Sequence, residues 1–177
     1  MFLFRWTIAC AINRIRFFEK VIASDEPMAF LEHDAICIDD WKDWDFEEYL
    51  CLNVEYVFRP PNKLSFVNKR FPDFFFQNDF FGGSGVKDFP QDYPLLYYRQ
   101  NPWAGSMMAP GTGAYAMTPK GAKKMLHAIE QYGMDQSDFM INSHNVRFQY
   151  AFPSLTKFNK VNLHTSLGVK KWNLNHK

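Results

Sequence analysis

The chain has 177 residues, enough for one domain spanning 1–177, and its 47% hydrophobic and 22% charged residues exclude chain-wide disorder. A formal net charge of +1 excludes bulk attraction to nucleic acid or to an anionic membrane surface. Cys10, Cys37 and Cys51 lie far apart without a C-x-x-C pair, which excludes a disulfide framework or a cysteine zinc site and fits a reducing, cytoplasmic compartment.

The first segment resembles a signal peptide only briefly. Arg5 interrupts the apolar run, Arg14 and Arg16 end it, and a bilayer span needs roughly 20 apolar residues. Ile8, Ile12, Ile15, Phe18 and Ile22 recur at three- and four-residue steps and predict one apolar helical face. Ser24-Asp25-Glu26-Pro27 is turn-like in composition. Met28–Leu31 predicts a short buried strand running straight into Glu32-His33-Asp34. Residues 35–50 mix acids with Trp41, Trp44 and Phe46, predicting a loop and a short helix. Asn53–Arg59 alternates like a strand and is ended by Pro60-Pro61.

Residues 60–110 hold seven prolines and the run Phe80-Phe81-Gly82-Gly83-Ser84-Gly85, so loops and short strands are expected. Phe71, Phe74, Phe75, Phe76, Phe80 and Phe81 are expected in a hydrophobic core rather than on a stacking platform. Gly111–Met117 predicts a glycine turn leading into a strand. Thr118 then suits a helix N-cap and Pro119 the first helical position, with Ala122, Met125, Leu126 and Ile129 facing inward and Gly133 stopping the helix. Gln149–Phe152 predicts another short strand, closed by Pro153-Ser154.

Charge is unevenly spread. Residues 1–117 carry a net −5 and residues 118–177 a net +6, with acids densest from Glu32 to Glu48. A run of this kind is ordinarily a solvated face. The junction at Glu32 and Asp34 is the exception. In an extended chain residues i and i+2 face one way, so these two carboxylates would share a side with His33 opposite. They repel unless a cation sits between them, and Mg²⁺ or Mn²⁺ prefers such oxygen ligands while keeping sites for substrate phosphates. That chemistry suits a nucleotide-sugar diphosphate, whose leaving group needs its charge neutralised. An acid-x-acid pair alone is a weak signal. The sequence carries no Walker-type glycine loop, no G-x-S-x-G and no helix with a basic stripe, which argues against a phosphoryl-transfer enzyme and a nucleic-acid module.

Phe30-Leu31-Glu32-His33-Asp34-Ala35 resembles the LEDDA segment of glycosyltransferase family 25, the lipooligosaccharide and collagen galactosyltransferases. Residues 111–125, Gly-Thr-Gly-Ala-Tyr-Ala-Met-Thr-Pro-Lys-Gly-Ala-Lys-Lys-Met, are similar to that family's GTxAYxITPKGAKKLL segment, a longer and more specific match. Pro153-Ser154-Leu155 with His164-Thr165-Ser166 is weakly similar to its closing pattern. The variant with His33 inside the acidic motif looks most like small phage or bacterial members.

The resemblance spans roughly residues 7–168 and implies a GT-A fold, a Rossmann-related α/β sandwich with a mixed central sheet. It implies inverting, metal-dependent transfer of a hexose from a nucleotide sugar, a UDP-sugar by expectation, to a saccharide or other hydroxyl acceptor, as in lipopolysaccharide assembly. Glu32 and Asp34 then hold Mn²⁺ or Mg²⁺ and the diphosphate, with His164 as a third metal ligand. His33 replaces an acid of the motif and removes one negative charge. Asp135 is the expected general base and Asp138 the second choice. Tyr115 and Thr118 are placed with Glu32 and Asp34 among the substrate-holding positions, shaping the acceptor side. Lys120, Lys123 and Lys124 are expected on a solvated helix face, and no role is expected for His127 or His144. Only 31 residues precede Glu32. That implies a missing first nucleotide-binding strand, supplied by a partner chain or a second copy if at all. The alternative is a binding protein that keeps the fold without turnover.

Overall fold

The computed structural model describes residues 5–54, 83–89, 106, 112–135 and 137–158; of residues 5–7, 138 and 158 it describes the backbone only. In chain order the elements are α1 (Arg5–Ser24), β1 (Met28–Leu31), β2 (Ala35–Cys37), β3 (Tyr49–Cys51), β4 (Gly85–Asp88), β5 (Ala114–Met117), α2 (Pro119–Tyr132), α3 (Ser137–Met140), β6 (Phe148–Phe152) and β7 (Thr156–Phe158). The chain is therefore mixed α/β. Five strands form one sheet in the order β1-β5-β3-β6-β4, and β2 and β7 form a separate antiparallel pair. All neighbours in the large sheet are antiparallel except β3 and β6, which run parallel with Leu50 opposite Gln149.

Alternation along the strands divides the core. On one face Phe30, Tyr115, Tyr49 and Phe148 form an aromatic row crossing four strands. Tyr115 stacks on Phe30 at 5.5 Å and on Tyr49 at 5.3 Å between centroids, and Phe17 of α1 meets its edge at 5.7 Å. Tyr49 meets Phe148 at 5.0 Å, and Phe89 continues the row against Phe148 and Tyr150. Both long helices cover this face through Phe18 and Val21 of α1 and Ala122, Met125 and Ala128 of α2. The opposite face carries Leu50, Leu52, Ala114, Ala116 and Ala151, covered by Phe46, Trp44 and Leu155 from irregular chain.

Helix α2 matches its sequence signals. Thr118 caps it by accepting from the Gly121 N–H at 3.2 Å, Pro119 opens it, and Gly133 ends it with φ +81° and an N–H to the Ile129 carbonyl at 2.9 Å. Its first turn lies against β3. The Thr118 N–H donates to the Glu48 carbonyl at 3.1 Å, and an added Cβ at Gly121 would stand 2.5 Å from that same oxygen.

Other expectations are corrected. Of the expected face of α1, Phe18 is buried and Ile22 packs against the core, but Ile8 and Ile12 are each 44% exposed, and Arg14 and Val21 are buried in addition. The helix is rotated because α1 packs on α2 and β1 through Phe17, Phe18, Val21 and Ile22. β1 is the expected strand, but Ala29 and Leu31 are exposed because it lies at one edge of the described sheet. In residues 35–48 the structure has β2 and coil where a short helix was expected. Tyr49–Cys51 is a strand that was not expected, fully buried and so without alternation. Of the strand expected at Asn53–Arg59, residues 55–59 lie outside the described residues. The phenylalanines at 71–81 also lie outside them.

Lys120 and Lys124 are partly exposed, as expected, yet they serve a buried acid. Glu48 is 1% exposed and takes Lys124 at 2.7 Å, Lys120 at 3.0 Å and the Arg147 N–H at 2.8 Å. Burial pushes its carboxyl up, but the Lys124 hydrogen bond, the Arg147 N–H and Lys120 outweigh burial and hold it below the ordinary 4.5. A depressed carboxylate adds stability above its unfolded pKa and loses it as pH falls through the folded value. The melting-temperature difference between wild type and Glu48→Gln is therefore expected in full near neutral pH and to shrink below 4.5. A difference that grows on acidification would disprove this.

Candidate functional site

The acidic motif sits where β1 ends. The Glu32 N–H extends the β1–β5 ladder by donating to the Gly113 carbonyl at 2.7 Å. The Ala35 N–H then donates to the Glu32 carbonyl at 3.0 Å, so residues 32–35 form a tight turn. The expected straight run is corrected here: a turn, not strand alternation, places Glu32 and Asp34, and His33 is exposed.

Arg14 organises this end of the sheet. It is 3% exposed, and its guanidinium lies 3.7 Å from the Phe30 ring centroid and 5.4 Å from that of Tyr115. Nη2 donates to Glu32 Oε1 at 2.6 Å and to Thr112 Oγ1 at 3.4 Å, and Nη1 donates to the Tyr115 hydroxyl at 3.4 Å. Thr112 Oγ1 also meets Ser137 Oγ at 3.0 Å. A single hydrogen-bonded chain thus runs from Glu32 through Arg14 and Thr112 to the start of α3. A cation out of water over an aromatic face, here that of Phe30, gains about 2 kcal/mol from it. The Glu32 side chain is 41% exposed, so one end of the ion pair is solvated.

Asp34 differs from its neighbour. Its Oδ1 is buried and has no hydrogen-bond partner among the described residues. An orphaned carboxylate oxygen is costly and calls for a positive or donating group. A hard divalent cation fits such an oxygen, with water and substrate phosphate completing its shell. Asp34 and the remaining oxygen of Glu32 are the residues that would hold it. Among the described residues no group of three or more His, Cys, Asp or Glu side chains is gathered for a metal, and His164 lies outside them.

The other expected site residues are placed as follows. Asp135 is half-buried in the loop after α2, two residues before the Ser137 that reaches Thr112. Asp138 lies within α3, its side chain outside the described residues. Tyr115 is buried in the aromatic row, and only its hydroxyl approaches the site through Arg14. Burial pushes that phenol up to about 12 against the opposing influence of Arg14, so it stays neutral at physiological pH. Thr118 stands at the other end of β5, and its hydroxyl is used by the fold: it caps α2 and donates to the Glu47 carbonyl at 2.8 Å. The structure thus links Glu32 to the Tyr115 hydroxyl through Arg14, sets Asp34 in the same turn as Glu32, puts Asp135 two residues before Ser137, and keeps Thr118 apart.

Arg14 was not among the expected site residues. Its signal was positional: it shares the i, i+4, i+7 stripe with Phe18 and Val21, and a charge on an apolar stripe needs a buried partner. Comparison with family models, curated proteins and solved structures finds no match. Among the described residues, no helix is long and apolar enough to cross a membrane.

Proposed function

We propose that the chain is a metal-dependent glycosyltransferase that moves a hexose from a nucleotide sugar to a hydroxyl acceptor with inversion. The observation that carries this reading is the Oδ1 of Asp34 at the strand end, buried and without a hydrogen-bond partner among the described residues. The likeness of residues 30–35 and 111–125 to the two glycosyltransferase family 25 segments supports it. A divalent cation at Asp34 and Glu32 would neutralise the departing diphosphate. Asp135, on the loop beside the site, is the carboxylate proposed to take the acceptor's proton, a task that needs a base within reach of the hydroxyl.

Mn²⁺ with UDP should raise the melting temperature of the wild type. At a ligand concentration about a hundredfold above Kd the stabilisation is about 2.7 kcal/mol. That is a rise of roughly 5–10 °C for a chain of this size. Asp34→Ala should show no rise. Equal rises in both proteins would remove the metal site from Asp34. With Mn²⁺ present, slow release of UDP from UDP-galactose or UDP-glucose is expected. A Mn²⁺–UDP rise without release from any nucleotide sugar would assign the chain to the binding alternative.

A further inference from the structure

Two carboxylates stand in the acidic motif, but they are not equivalent. Glu32 Oε1 is bound to a guanidinium that is itself buried and hydrogen-bonded to Thr112 and Tyr115. Asp34 Oδ1 is buried with no hydrogen-bond partner among the described residues. We propose that Arg14 is a positioning residue that neutralises and fixes Glu32, leaving Asp34 as the carboxylate whose charge holds the cation. The inference rests on the functional reading above and divides the labour within that site.

The physical argument is one of charge and order. Bound to Arg14, Glu32 adds little net negative charge, so Asp34 supplies the attraction for a divalent ion. The pair's own contribution is geometric. The planar guanidinium, packed over Phe30 and hydrogen-bonded to Thr112 and the Tyr115 hydroxyl, holds the Glu32 side chain in one place. The same guanidinium repels an incoming cation, because unit charges a few ångströms apart near a protein surface interact by several kcal/mol. Arg14 therefore limits cation affinity while ordering the site. Its link through Thr112 to Ser137 also joins that order to the loop carrying Asp135.

Titration with Mn²⁺ alone, followed by electron paramagnetic resonance of the free ion, tests this without any activity measurement. Asp34→Asn is expected to lose binding by about tenfold or more. Arg14→Gln, which removes the cation and keeps an amide donor, is expected to bind Mn²⁺ about tenfold more tightly than wild type. The double variant Arg14→Gln/Glu32→Gln exchanges the ion pair for a neutral pair of similar shape. It should stay folded and bind within about threefold of wild type. If Arg14→Gln alone does not fold, the double variant still decides the matter. A loss in the double variant as large as that in Asp34→Asn would make Glu32 a principal ligand and overturn the proposal, as would weaker binding by a folded Arg14→Gln. A wild type that binds no Mn²⁺ and is unshifted by Mn²⁺ with UDP would instead remove the functional reading, and this inference with it.

Discussion

Tyr115→Ala is expected to cost about 3–5 kcal/mol, the range for deleting a buried aromatic ring. For a chain of this length that lowers the melting temperature by roughly 6–20 °C. The reason is position. The ring is fully buried at the second place of the row, stacked on Phe30 and Tyr49 and edged by Phe17, so its loss opens a void touching two strands and a helix. Little can move in to fill that void, because β1, β5 and β3 are held at one spacing by their ladders. Tyr115→Phe keeps the ring and removes only a long hydrogen bond from Arg14 at 3.4 Å. It should cost no more than about 1 kcal/mol. Thermal and urea unfolding of both variants check the pair. An alanine variant as stable as the phenylalanine variant would show that the row does not hold the sheet together.

Gly121→Ala should be the second most damaging of these substitutions, although alanine is the better helix former by about 1 kcal/mol. The new methyl would lie 2.5 Å from the Glu48 carbonyl oxygen, 3.0 Å from its carbon and 3.2 Å from its Cα. All three are backbone atoms of the chain entering β3, so no side chain can swing aside. Relief requires α2 to lift from the sheet, which stretches the Thr118 N–H to Glu48 bond and the Lys124 contact together. Overpacking of this kind costs about 1–3 kcal/mol. Lys123→Ala, on the exposed side of the same helix, is the control and should change the melting temperature little. A Gly121→Ala protein at least as stable as that control would mean that helix and strand separate freely.

How much of this was legible in the sequence follows from the range of the forces involved. Helix α2 could be delimited to the residue because its signals are local: a capping hydroxyl, a proline in the first turn and a glycine at the end. β1 and β6 were legible as apolar runs bounded by turn residues. Tyr49–Cys51 was not, since a strand buried on both faces shows no alternation. The true face of α1 depends on where β1 and β5 put Phe30 and Tyr115, and those positions are separated from Arg14 by up to 101 residues. In the motif, Glu32 and Asp34 could be named but not arranged. The turn closed by Ala35 and the guanidinium that takes Glu32 are products of tertiary structure. The two carboxylates look alike in the sequence and become different in the fold.

The parallel pairing of β3 with β6 has a consequence for how the molecule comes into being. It joins Tyr49, Leu50 and Cys51 to Phe148, Gln149 and Tyr150, and the neighbouring Glu48–Arg147 contact spans 99 positions. Such a closure is entropically late, because distant segments must meet before any of their contacts count. During synthesis β3 can pair with β5 once residue 117 has emerged, but one of its edges stays open until residues 148–150 follow. For that interval the nascent chain carries an unsatisfied strand edge beside its most apolar residues, the kind of surface that chaperones shield. Completion of the sheet is thus a late event, and it joins residues 49–51 to residues 148–150.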